Sequence, residues 1–121
     1  MNKFIYLSTC DTCKRILKAL DLPENVVLQD IKYDPVSVTD LEHMRKFVPD
    51  YESLFNKRSR LYKEQGLKDK NLTDEDYKRL ILEHYTFLKR PVLLADDAMF
   101  AGNSKNTIED AVIYVKENLR N

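Results

Sequence analysis

The chain has 121 residues, with 20 Lys+Arg balanced by 20 Asp+Glu and 43% hydrophobic residues. That length and apolar content suit a single core in one domain spanning residues 1–121. A formal net charge of zero excludes a polybasic membrane anchor or a nucleic-acid coat, which need an excess of one sign, and two Gly with four Pro exclude a collagenous or disordered chain.

In chain order, Phe4 to Leu7 is a short apolar run bounded by Ser8-Thr9, and reads as a buried strand. Cys13, Ile16, Leu17 and Leu20 then have helical spacing, and Leu22-Pro23-Glu24-Asn25 stops that helix because proline cannot continue it. Val26-Val27-Leu28 and Ile31 predict a second strand, broken at Asp34-Pro35. Thr39 and Glu42 have the spacing of a capping box, with Leu41, Met44 and Val48 as the apolar face and Pro49 as the stop. Residues 50–65 predict an interrupted helix. Its apolar groups, Tyr51-Leu54-Phe55 and Leu61-Tyr62, are split by Lys57-Arg58-Ser59-Arg60, and Gly66 is the stop. The charged stretch from Lys63 to Asp76 reads as an exposed connection. Thr73 opens a helix with Asp74, Glu75 and Asp76 in its first turn and Tyr77, Leu80, Ile81, His84 and Tyr85 along one face. Val92-Leu93-Leu94 and Met99-Phe100-Ala101 are strands joined by a turn at Asp96-Asp97. A last helix carries Ile108, Ala111, Val112, Val115 and Leu119.

The order β-α-β-α-α-α-β-β-α predicts an α/β fold with a mixed four-stranded sheet. A βαβ crossover makes the first two strands parallel, the last two form an antiparallel hairpin, and helices pack on the sheet. No run approaches the roughly 18 apolar residues of a membrane span, and the apolar start is too short for a signal peptide. The expectation is a cytoplasmic monomer without membrane contact. The short Lys57–Arg60 cluster predicts no direct nucleic-acid binding.

The only two cysteines, Cys10 and Cys13, lie in Cys10-Asp11-Thr12-Cys13, where the first strand gives way to the first helix. A helix N-terminus offers unpaired N–H groups and a positive dipole end, and both lower the pKa of a thiol there. Cys10 is therefore the expected nucleophile. Cys13, one turn on, can close a disulfide with it. Lys14 and Arg15 favour the thiolate and Asp11 opposes it. Three other readings compete: half of a zinc site, which only His43 and His84 remain to complete; two inert buried thiols; or an incidental disulfide without a role. Arg90 is placed to bind an oxyanion through its rigid fork of donors, or else serves as an ordinary ion-pairing arginine. Arg58 is a further anion-binding candidate, set against a solvated helix face beside Lys57 and Arg60.

The run Tyr6-Leu7-Ser8-Thr9-Cys10-Asp11-Thr12-Cys13-Lys14 resembles the start of the arsenate reductase (ArsC)-related proteins, which include the Spx regulators. Leu54-Phe55-Asn56-Lys57-Arg58-Ser59, Tyr62-Lys63-Glu64-Gln65-Gly66-Leu67, Leu88-Lys89-Arg90-Pro91-Val92 and Gly102 follow in the family's order. The resemblance covers nearly the whole chain. It implies a thioredoxin-like fold with a helical insertion at about 37–86, a nucleophile at Cys10, and a cis proline at Pro91 facing it and shaping the substrate groove. It also implies glutaredoxin-like or oxyanion-reductase chemistry with a thiol donor such as glutathione or thioredoxin, no bound cofactor or metal, and a small-molecule or protein thiol/disulfide as substrate. Two features depart from the arsenate enzymes. Met99-Phe100-Ala101-Gly102-Asn103 lacks their third arginine, and Cys13 is a second cysteine that they generally lack. The Spx branch has the CxxC switch and binds the RNA polymerase α subunit, but Asp50 stands where those regulators have a glycine. The resemblance thus implies a thiol–disulfide oxidoreductase, with a redox-sensing regulator as the alternative.

Overall fold

The computed structural model describes residues 1–120. They form two compact units. One comprises Met1–Asp34 together with the segment from Arg90 onward, and the other Pro35–Lys89.

The first unit contains the whole sheet. Its strands are β1 (Lys3–Tyr6), β2 (Val27–Asp30), β3 (Val92–Leu94) and β4 (Met99–Ala101), in the order β2-β1-β3-β4. β1 runs parallel to β2, with Lys3 opposite Val27 and Tyr6 opposite Asp30. It runs antiparallel to β3, with Ile5 opposite Val92, and β3 and β4 form the antiparallel hairpin. The mixed four-stranded sheet is as the element order predicts. The helix α1 (Asp11–Leu20) connects β1 to β2 and buries Cys13, Ile16 and Leu20, which share one face at helical spacing. It ends where Asp21 turns left-handed at φ 48°, two residues before Pro23. Phe4, Ile16, Leu20, Val26, Leu93, Ala111 and Val115 form the core, with α5 (Lys105–Tyr114) supplying the alanine.

Two details of this unit go beyond the sequence expectation. In β2 the apolar residues Val27 and Leu28 are exposed, at 42% and 51%, while Val26 and Ile31 on either side of the strand are buried. β2 is a sheet edge, so apolar character there does not imply two covered faces. The last helix changes character after Tyr114: Val115–Leu119 is a wider π turn closed by Arg120 N–H donating to Val115 O at 3.0 Å.

The second unit is built from α2 (Val38–Arg45), α3 (Arg60–Glu64) and α4 (Asp74–Glu83), with short 3₁₀ turns between them. The capping box expected at Thr39 and Glu42 is not the start of α2. Ser37, in extended backbone, is the cap and accepts from Asp40 N–H at 3.0 Å, so the helix begins earlier than Thr39. A full capping box does form at Thr73 and Asp76, each side chain accepting from the other's N–H. His84 and Tyr85 leave the predicted helical face. His84 is extended, and its Nδ1 accepts from Thr86 N–H at 3.2 Å, which caps a new turn at Tyr85–Phe87. Gly66 stops α3 with φ 63°, a backbone conformation that a Cβ disfavours.

Phe55 is the hub of this unit. Its ring stacks on Phe87 at 5.1 Å and meets Tyr77 edge-on at 5.0 Å and Tyr62 at 5.7 Å. Backbone bonds from Asn56 N–H to Phe87 O and from Lys89 N–H to Leu54 O, both 2.8 Å, hold the two flanking segments side by side. Replacing a buried phenylalanine at such a junction removes apolar contact and leaves a cavity. Phe55→Ala should therefore cost about 3–5 kcal/mol of stability, read as a drop in the urea midpoint.

Candidate active site

β1 delivers the chain to a tight turn in which Cys10 N–H donates to Leu7 O at 3.0 Å. Cys10 then becomes the N-cap of α1, with extended backbone at φ −96° and ψ 115°, and its carbonyl takes the first helical bond from Lys14 N–H at 3.1 Å. The sequence placed Cys10 at the helix start, and the structure does the same. Cys10 is half-buried and Cys13 fully buried, and both are free thiols.

The two thiols are driven in opposite directions. Burial works against ionisation of Cys10. Hydrogen bonds from the backbone and thiol of Cys13 and from the backbone of Thr12, with the charge of Arg90, outweigh it and hold the Cys10 pKa below the ordinary 9.0. Burial pushes Cys13 up to about 11, and the neighbouring Cys10 adds to the rise. A backbone hydrogen bond from Leu7 and the charge of Arg90 only partly offset it. The half-buried sulfur therefore ionises more readily than an ordinary thiol and the buried one less readily. The Cys10 side chain receives these hydrogen bonds while staying only half-buried.

Arg90 lies two residues before β3, separated from it by Pro91. Continuing the β1–β3 register past Val92 sets it at the level of Leu7, on the same edge of the sheet as the cysteine turn. Its charge favours both thiolates. The Nε and Nη1 atoms of Arg90 are buried and have no hydrogen-bond partner. Buried donors of this kind normally have a partner, so an unmatched guanidinium beside a thiol suits an anion. The Arg90–Pro91 peptide bond is cis, as the resemblance implies, and Pro91 is buried with its carbonyl accepting from Gly102 N–H at 2.9 Å. Cys10, Cys13, Arg90 and Pro91 thus belong to one unit. Arg58 belongs to the other, in an exposed turn where its N–H donates to Asn56 Oδ1 at 3.1 Å. His43 packs edge-on against Phe47, and His84 is engaged with Thr86. Among the described residues no group of three or more His, Cys, Asp or Glu converges as a metal site.

Sequence reading overlooked Ser8 and Asp30. The Asp30 carboxylate accepts from the Ser8 hydroxyl and from the Ser8 N–H at 3.4 Å, and also from Lys32 N–H at 3.3 Å. These residues are 22 positions apart in sequence. No local motif marks them, and only the parallel register that sets Asp30 opposite Tyr6 could have pointed to the pair.

Comparison with known proteins agrees with this architecture. The chain matches a possible arsenate reductase from Streptococcus mutans at 25% identity, covering 91% of this chain and 96% of that one with a TM-score of 0.73. It shares its fold with the arsenate reductase of Vibrio cholerae at 18% identity and a TM-score of 0.73, covering 94% and 96% of the two chains. A curated relative, small heat shock protein C1 of Rickettsia prowazekii, is 28% identical over 109 residues, covering 83% of this chain and 67% of the relative. The ArsC family model matches residues 6–111, a span that runs from the end of β1 through the cysteine pair, the Arg90-Pro91 step and most of α5, and the chain therefore belongs to the ArsC family.

Proposed function

We propose that this protein is a thiol–disulfide oxidoreductase in which Cys10 attacks and Cys13 resolves. The observation that carries this reading is the pairing of a half-buried thiol at the N-cap of α1 with a fully buried thiol one turn further on. The Cys10 thiolate attacks one sulfur of a substrate disulfide, forms a mixed disulfide and expels the other sulfur as a thiolate. Forming that bond removes the negative charge on Cys10, which had been holding the Cys13 proton in place. Cys13 then loses its proton and attacks Cys10 Sγ. The Cys10–Cys13 disulfide forms and the second substrate sulfur leaves as a thiolate. A cytoplasmic thiol donor such as glutathione or thioredoxin returns the pair to the dithiol. Arg90 holds an anionic group of the substrate, and buried Pro91 lines the approach. An oxyanion substrate would use the same thiolate and the same guanidinium. The substrate class is thus a small-molecule or protein disulfide, or an oxyanion.

A second reading uses the same cysteines as a switch. The lack of an arginine between Met99 and Asn103, together with the presence of Cys13, favours a redox-sensing regulator that contacts the RNA polymerase α subunit. Capture of the α subunit by the disulfide form but not the dithiol form, without turnover of small disulfides, would select it.

Cys10→Ser should bring reduction of a model disulfide to background. Cys13→Ser should retain the first step and accumulate a mixed disulfide on Cys10, detectable by mass spectrometry. Wild-type rates in Cys10→Ser would overturn the mechanism. The opposite displacements of the two thiols give a pH prediction. Alkylation of Cys10 should rise to half its plateau at a pH below 9.0, because the lowered pKa supplies thiolate earlier as pH increases. Cys13 should resist alkylation until pH approaches about 11. Arg90→Met removes a nearby positive charge and should shift the Cys10 midpoint upward, read from the same alkylation series.

A further inference from the structure

Asp30 closes β2, the strand next to β1, and the cysteine turn hangs from it. Its two carboxylate oxygens take both donors of Ser8, the hydroxyl and the backbone N–H, while Lys32 N–H supplies a third hydrogen bond from the other side. The strand end itself is fixed, since Ile31 N–H donates to Tyr6 O at 2.8 Å and the Asp30 carbonyl accepts from Tyr33 and Asp34. Ser8 is half-buried and adjoins Leu7, whose backbone meets both cysteines: its carbonyl accepts from Cys10 N–H, and its backbone hydrogen bonds to the Cys13 sulfur. Hydrogen bonds at either end of the Ser8–Leu7 peptide link therefore connect the carboxylate to both cysteines. The acid is matched to this task. The Ser8 hydroxyl, ahead of the Lys32 and Ser8 N–H groups and the Lys32 charge, outweighs partial burial and holds the Asp30 carboxyl below the usual range, so the clamp stays ionised through the neutral range.

We propose that Asp30 is a positioning residue for the Cys10–Cys13 pair, acting through Ser8 to hold the turn that sets Cys10 at the N-cap of α1. The proposal rests on Cys10 being the reacting thiol. The clamp acts by geometry and not by charge. With the turn held, the N–H groups of Thr12 and Cys13 lie where they favour the Cys10 thiolate. With it released, Cys10 swings within a looser turn and loses part of that support. A purely electrostatic role would have the opposite sign, because removing a nearby negative charge makes a thiolate easier to form.

The test is the pH profile of Cys10 alkylation by iodoacetamide, with site assignment by mass spectrometry, in wild type, Asp30→Ala, Asp30→Asn and Ser8→Ala. Arg90 remains in place in every protein. Asp30→Ala should raise the Cys10 midpoint by about one unit, which leaves about tenfold less thiolate at neutral pH. Asp30→Asn loses the charge but keeps an acceptor oxygen, and should lie between Asp30→Ala and wild type. Ser8→Ala should shift the midpoint in the same direction, and the Ser8→Ala/Asp30→Ala double variant should show no more than the larger single shift, since both cut one path. Should Asp30→Ala fail to fold, Ser8→Ala and Asp30→Asn carry the test. An unchanged midpoint in folded variants would overturn the proposal, as would a fall on removing the carboxylate. Either result leaves the functional reading standing if wild-type Cys10 still titrates below an ordinary thiol. A wild-type midpoint at the ordinary value would overturn both.

Discussion

The chemistry of this protein depends on one junction, the entry of the chain into α1 at Cys10. A helix leaves its first N–H groups without partners inside the helix, and a thiol at the cap is the group best served by them. Everything around the junction keeps that relation. The β1 strand fixes the incoming direction, the Leu7–Cys10 bond tightens the turn, and the Lys14–Cys10 bond starts the helix on the correct phase. The buried face of α1, Cys13-Ile16-Leu20, then packs the helix against the core.

The same phase separates the roles of the two cysteines. Three residues along a helix bring Cys13 under Cys10 on the side that the core covers. Cys13 thereby loses access to water and keeps its proton, while Cys10 keeps part of its access and the support of the helix end. A proton held on the buried sulfur is useful only while Cys10 is charged. Once Cys10 forms a covalent bond, one reason for holding it disappears. In the proposed two-cysteine cycle, the order of events follows from burial and charge at a single turn of helix.

Arg90 adds a positive charge to this junction. Among the described residues nothing satisfies its buried Nε and Nη1, although a guanidinium seldom stays buried without partners. Its charge bears on both thiols from the strand beside β1. The stretch Met99–Asn103, which carries β4 and the glycine after it, brings no second cation to this step.

Much of this was legible in the sequence. The apolar runs at Phe4–Leu7, Val92–Leu94 and Met99–Ala101, the helical stripe after Cys13 and the Thr73 cap each depend on neighbours within one turn or one strand, so local pattern suffices to find them. The readings that missed, at Thr39 and at His84-Tyr85, failed where a nearby polar side chain outweighed local periodicity. By itself the sequence determined the element order, the place of the cysteine pair at a strand-to-helix step, and the Arg90-Pro91 step before the hairpin. Only the tertiary structure decided that Cys13 is fully buried, that the Arg90 donors lack partners, and that Asp30 reaches Ser8. Burial and long-range hydrogen bonds are properties of what lies across the sheet, and the residues involved are many positions apart in the chain.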